Sequence, residues 1–105
     1  MKHLKGESNM DYIFEDNKIY AKQENNLLLA EVTFPKRDDK RVNLDHIYVD
    51  QSLRGQQIAS KLMLIAYEYI KEKDLKIIAK CPYAITWFKK HVEYQDIVIN
   101  VKTKK

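Results

Sequence analysis

Three places in this sequence carry side chains whose chemistry goes beyond packing. Cys81 stands directly before Pro82, where a second helical pattern, "YAITWFKK", begins. A thiol at a helix amino end sits where the thiolate is favoured, so Cys81 is a candidate nucleophile. A lone cysteine is equally a small hydrophobe that buries well. His46 lies in the run "LDHIYVD", and an imidazole there can take a proton from an attacking amine or help to ionise Cys81. It can also be a hydrogen-bonded member of a sheet. The third place is Arg54-Gly55 in "VDQSLRGQQIASKL", which uses one of only two glycines in the chain. A helix amino end carries unpaired N–H groups and partial positive charge, and glycine lets a ligand approach the backbone. With the guanidinium of Arg54 and the hydroxyl of Ser60 beside it, this stretch is a candidate phosphate cradle, although an ordinary turn would use the same glycine. It is neither a Walker loop nor a dinucleotide fingerprint, since both spacings are absent.

These residues need elements to hold them. "DYIFEDNKIYAK" reads as a hairpin, with Tyr12, Phe14, Ile19 and Ala21 alternating with more polar positions around a turn at Glu15-Asp16-Asn17. In "NLLLAEVTFPKR", Leu28, Ala30, Val32 and Phe34 form the more apolar face, and Pro35 closes the strand. After the turn "KRDDK", Val42, Leu44, His46 and Tyr48 alternate with Asn43, Asp45, Ile47 and Val49. That run is expected to be a central strand covered on both faces. From about Gln56 to Lys73 the period becomes helical, with Ile58, Leu62, Ile65, Ala66, Tyr69 and Ile70 on one stripe. "LKIIAKC" suits a buried strand, Pro82 opens a short helix, and "DIVINV" reads as a last strand. The strand, helix and strand at the centre form a crossover unit, which makes its two strands parallel.

At 105 residues, with 45% hydrophobic and 32% charged side chains, the chain is expected to fold as one small domain, residues 1–105, fraying at 1–10 and 102–105. A net charge of +4, part of it in the terminal "VKTKK", argues against a nucleic-acid binder and leaves a small anionic ligand open. One cysteine permits no intrachain disulfide, no run reaches the ~20 apolar residues of a membrane span, and the start lacks a secretory core. A cytoplasmic location is expected, with no metal.

"LRGQQIASKL" resembles the acyl-coenzyme A binding motif of the GNAT superfamily of N-acetyltransferases, running here as Arg54, Gly55, Gln56, Gln57, Ile58, Ala59. The flanking "LDHIYVD" and "IIAKCPYAITWFKKHVEYQDIV" resemble its short, single-domain subgroup, over roughly Leu28 to Val98. The resemblance implies an α+β fold with a mixed, mostly antiparallel sheet, two helices and a central parallel strand pair, "DHIYV" and "IIAKC", that splays apart. It implies acetyl-CoA as co-substrate, in contact with Ile47, Tyr48, Val49, Arg54, Gly55, Gln56, Gln57, Ile58, Ala59, Ser60, Pro82 and Tyr83. His46 and Cys81 would flank the thioester, and backbone donors near Val49 would polarise its carbonyl. The family's most typical glycine falls on Gln57, whose side chain fits if the backbone stays helical there. The tyrosine with which many members protonate the leaving thiolate aligns with Phe88, leaving Tyr83 and Tyr94 as neighbours.

The implied function is acetyl transfer to an amine, either directly or through Cys81. The alternative is a non-catalytic module that binds acyl-CoA or a partner protein. Full-length members build much of the acceptor site from helices between the first strands. The hairpin here leaves no room for them, so the acceptor site is expected to be open, shared in a homodimer, or suited to a protein side chain.

Overall fold

The computed structural model describes residues 11–102, so the expected fraying of 1–10 and 103–105 lies outside the described residues. Lys102 lies inside them, and its ammonium donates to the carbonyl of Gln95 at 2.9 Å. The elements are β1 (Ile13–Glu15), β2 (Lys18–Lys22), β3 (Leu28–Thr33), β4 (Arg41–Leu44), β5 (His46–Val49), α1 (Ile58–Glu72), β6 (Lys76–Ala79) and α2 (Pro82–Lys90). Single 3-10 turns lie at Gln51–Leu53 and Val92–Tyr94.

The hairpin forms as its alternation predicts, with Ile13 opposite Tyr20 and Glu15 opposite Lys18. Strands β1, β2, β3 and β5 then make an antiparallel sheet in that order, while β4 pairs with β6 in parallel. The mixed α+β class and its parallel crossover pair are therefore present. The parallel pairing is confined to the first part of "RVNLDHIYVD", and the rest splays away as expected. Arg41 to Leu44 run beside Lys76 to Ala79, and "DHIYV" lies beyond the paired region.

The cause is a one-residue irregularity at Asp45. Both Asp45 and His46 oppose Thr33: Asp45 N–H donates to the Thr33 carbonyl at 3.3 Å, and the ladder pairs Thr33 with His46. Two residues facing one is the signature of a β-bulge, which bends a strand and ends its pairing on one side. The last bonds between the parallel strands are Lys80 N–H and Cys81 N–H to the carbonyl of Leu44. Beyond them the strands diverge.

The bulge also reverses the faces. Val42 and Leu44 are buried, and after the bulge it is Ile47 and Val49, opposite Val32 and Ala30, that continue their side. His46 and Tyr48 turn to the other face, beside Glu31 and Thr33. The expectation of a strand covered on both faces is corrected accordingly: His46 is exposed, and Ile47, Tyr48 and Val49 are only half-buried.

Helix α1 buries Ile58, Leu62, Met63, Ala66, Tyr67 and Ile70, and α2 buries Ala84, Trp87 and Phe88. Tyr69 reaches across to β1, with its ring 5.3 Å from that of Phe14 and its hydroxyl donating to the Glu15 carbonyl. The final segment is not the strand expected of "DIVINV". It makes one parallel bridge, Ile77 to Val98, after which the side-chain amide of Asn100 bonds both the N–H and the carbonyl of Ala79, at 2.9 and 2.8 Å. A side chain thus takes the place of the next backbone unit, and the ladder stops there. Val98 and Val101 remain buried, so their apolar character serves packing. Among the described residues no helix is long and apolar enough to cross a membrane, and no cluster of His, Cys, Asp or Glu side chains is assembled to hold a metal.

Candidate functional site

The site is built where β5 gives way to α1. Asp50 ends the strand and accepts from the backbone N–H and hydroxyl of Ser52 and from the hydroxyl of Tyr48. The bonds from Ser52, then those from Tyr48 and the charge of Arg54, hold its carboxyl below the usual carboxylate range. This pins the 3-10 turn over Gln51–Leu53 and delivers Arg54 in extended backbone.

Two left-handed residues then aim the helix. Gly55 has φ +88°, and a Cβ there would meet nothing within 4 Å, so the constraint is conformational and not one of space. Gln57, at φ 60° and ψ 27°, is the N-cap of α1. The helix thus starts at Ile58, and Gln57 does not stay helical as the sequence reading required. Its side chain makes no capping bond, and the first turn holds no acidic residue. The first-turn N–H groups, including those of Ile58, Ala59 and Ser60, have no intrahelical carbonyl to bond and no cap to satisfy them, which makes this end receptive to an anion.

A left-handed non-glycine residue costs about 1–2 kcal/mol. Gln57→Gly is therefore expected to stabilise the free protein by about 1 kcal/mol, once the greater freedom of an unfolded glycine is allowed for. Urea unfolding measures this; a lower midpoint would mean that the glutamine side chain contributes more than its backbone costs.

The amino end of α1 opens onto a cleft of about 280 Å³, lined by Ile47, Val49, Leu53, Arg54, Gly55, Gln57, Ile58, Ala59 and Tyr83. Strand β5 supplies its edge. Asp50 N–H bonds to Leu29 across the antiparallel ladder, so by strict alternation Ile47 and Val49 turn their own N–H and carbonyl groups away from β3, into the gap left by the diverging β6.

Most of the residues singled out as cofactor contacts thus come together. Tyr48, Gln56, Ser60 and Pro82 do not line the cleft. The Tyr48 ring lies on the other face, Gln56 and Pro82 are exposed, and the Ser60 hydroxyl accepts from the indole N–H of Trp87 at 2.8 Å. Leu53 was missed by sequence reasoning, and its signal was an apolar residue in an otherwise polar turn.

Cys81 is the N-cap of α2, and its sulfur accepts from Ala84 N–H at 3.4 Å. Tyr83 follows on the cleft wall, its phenol pushed up first by burial and then by the charge of Cys81. His46 lies on the far face of β5, its Nε2 3.5 Å from a carboxylate oxygen of Glu31. Tyr94 does not line the cleft and packs on Tyr67 and Trp87.

A sequence profile of the GCN5-related N-acetyltransferases matches residues 18–97. The chain belongs to that family. A GCN5-like protein of the N-acetyltransferase class from Staphylococcus aureus is 36% identical, superposes with a TM-score of 0.72, and is matched over 90% of this chain and 93% of its own. Two larger acetyltransferase structures share the fold at lower identity. The ribosomal-protein-alanine N-acetyltransferase of Brucella melitensis biovar Abortus 2308 is 20% identical, with a TM-score of 0.53 over 84% of this chain and 64% of its own. A protein of the acetyltransferase class from Clostridium acetobutylicum, solved with acetyl-CoA, is 20% identical, with a TM-score of 0.50 over 70% of this chain and 55% of its own. No curated protein sequence is significantly similar. In the GCN5-related frame, the bulge at Asp45 and the uncapped amino end of α1 are the two features that define the cleft.

Proposed function

We propose that the protein binds acetyl-CoA in the cleft beside β5 and transfers the acetyl group to an amine. The observation that carries this reading is the uncapped amino end of α1, reached through two left-handed residues and opening onto an apolar cleft against an unpaired strand edge. The donor set fits the group: backbone N–H and Arg54 for a diphosphate, Ile47 and Val49 backbone for an amide-bearing arm, and apolar walls for its methylenes. When bound, acetyl-CoA supplies an activated thioester.

The chain's residues divide the remaining work. Ile58, Ala59 and Ser60 N–H groups, with Arg54, hold the diphosphate. Ile47, Val49, Leu53 and Ile58 would keep water from the arm, and the Val49 N–H would be available to polarise the reacting carbonyl. His46, oriented by Glu31, takes the proton of an amine arriving from the other face of the sheet. Tyr83, a neutral phenol in the cleft wall, would give its proton to the departing thiolate, whereas Tyr94 does not line the cleft. In a two-step route Cys81, at its helix start, would attack as the thiolate and take the acetyl group while coenzyme A leaves as its thiolate, and the amine would then take the acetyl group and release the Cys81 thiolate.

A melt with acetyl-CoA tests the binding half. A ligand at 100 times its dissociation constant raises stability by about 2.7 kcal/mol, and absence of any shift at millimolar ligand overturns the proposal. Thiol release over a panel of amines tests the chemistry. His46→Ala and Tyr83→Phe should slow it, and Cys81→Ala should abolish an acetylated-protein mass adduct if the two-step route operates. Tight binding without thiol release would favour the non-catalytic acyl-CoA module, a reading helped by Phe88 standing where many relatives carry their acid.

A further inference from the structure

We infer that Trp87 is a positioning residue that sets the width of the cleft through its hydrogen bond to Ser60; this rests on the acetyl-CoA reading above. Trp87 is the only tryptophan in the chain and is 5% exposed. A buried indole N–H needs a partner, and it finds one on another helix, in the Ser60 hydroxyl at 2.8 Å. Ser60 is the third residue of α1, in the same turn as the free N–H groups that face the cleft. Trp87 lies four residues after Tyr83, so the two share a face of α2 one turn apart. The bond therefore joins the wall made by Gln57, Ile58 and Ala59 to the wall made by Tyr83.

The indole is itself held rigidly. Phe88 meets it edge-on with ring centres 5.2 Å apart, His91 stacks on it at 4.2 Å, and Tyr94 stacks at 5.6 Å. The His91 ring is fixed in turn by Nδ1, 2.8 Å from the carbonyl of Trp87. A shift of Trp87 would move this whole block, which is why one hydrogen bond to α1 can fix the separation of the two helix starts.

The test uses Trp87→Phe, which keeps an aromatic ring and removes the N–H, and Ser60→Ala, which removes the acceptor. Coenzyme A affinity is read by calorimetry, with urea unfolding of the free protein as the control for stability and steady-state kinetics alongside. Each variant is expected to weaken coenzyme A binding by about 5- to 10-fold, the worth of one hydrogen bond, and to raise KM for acetyl-CoA while kcat holds. Ser60→Thr, which keeps a hydroxyl, should recover the affinity, and the double variant should bind no worse than either single one. If the wild type binds coenzyme A and both single variants bind as tightly, the inference falls while the cofactor reading stands. If the wild type does not bind, both fall. Should Trp87→Phe fail to fold, Ser60→Ala decides alone, because it removes only one oxygen atom from a half-buried position.

Discussion

Replacing Phe88 with alanine is expected to destabilise the fold by about 3–5 kcal/mol, the usual cost of removing a fully buried aromatic ring. Phe88 is 0% exposed, and its carbonyl accepts from the buried amide of Gln95 at 2.7 Å. The ring joins α2 to the core, so its loss acts on the helix that Cys81 caps and that carries Tyr83. For a domain whose total stability is of the order of 5–15 kcal/mol, this is a large fraction. Urea unfolding should show the midpoint falling with the slope unchanged; a loss below 1 kcal/mol would mean that the ring is not a core member. Phe88→Tyr would place a hydroxyl in a filled, apolar site, costing about 1–3 kcal/mol.

The contrast between Phe88 and Gln57 shows what the sequence could and could not reveal. The hairpin, both helices and the parallel crossover follow from local patterns, because Phe14 and Ile19 alternate, Ile58 to Ile70 repeat at helical spacing, and Pro82 suits a first helical turn. Those rules describe a residue and its near neighbours. The bulge at Asp45 is of another kind: it depends on how Thr33 of a different strand is met, and a one-residue slip moves every later side chain to the opposite face. The pattern Val42, Leu44, then Ile47, Val49 does contain the slip, but continuous alternation through His46 and Tyr48 fits the letters just as well. The amide of Asn100 standing in for a strand, and the indole of Trp87 claiming the hydroxyl of Ser60, depend on residues 21 and 27 positions apart, and no local pattern records such a pairing. That Arg54 and Gly55 stand at the entry to α1 was legible, because a glycine before a helical period is a local signal. The left-handed Gln57 was not, since glutamine gives no sign of that conformation.

The second large effect is expected from Ala59→Glu, and it moves stability and binding in opposite directions. Ala59 is half-buried in the first turn of α1, on the cleft wall. A carboxylate in that turn meets the positive end of the helix and should stabilise the free protein by about 0.3–1 kcal/mol. It would also occupy the ground proposed for the diphosphate. Two unit charges about 4 Å apart near a protein surface repel by about 4 kcal/mol before salt screening, so binding of acetyl-CoA should fall by about 100-fold or more. Ala59→Gln, similar in size but neutral, should lose far less, which separates charge from bulk. A variant that is merely misfolded would lose both stability and binding, and one that binds elsewhere would lose neither. Only a ligand anion seated on the amino end of α1 predicts a protein that melts higher and binds worse. Equal affinity for acetyl-CoA in Ala59→Glu and the wild type would remove the diphosphate from α1 and, with it, the role given to Arg54 and Gly55.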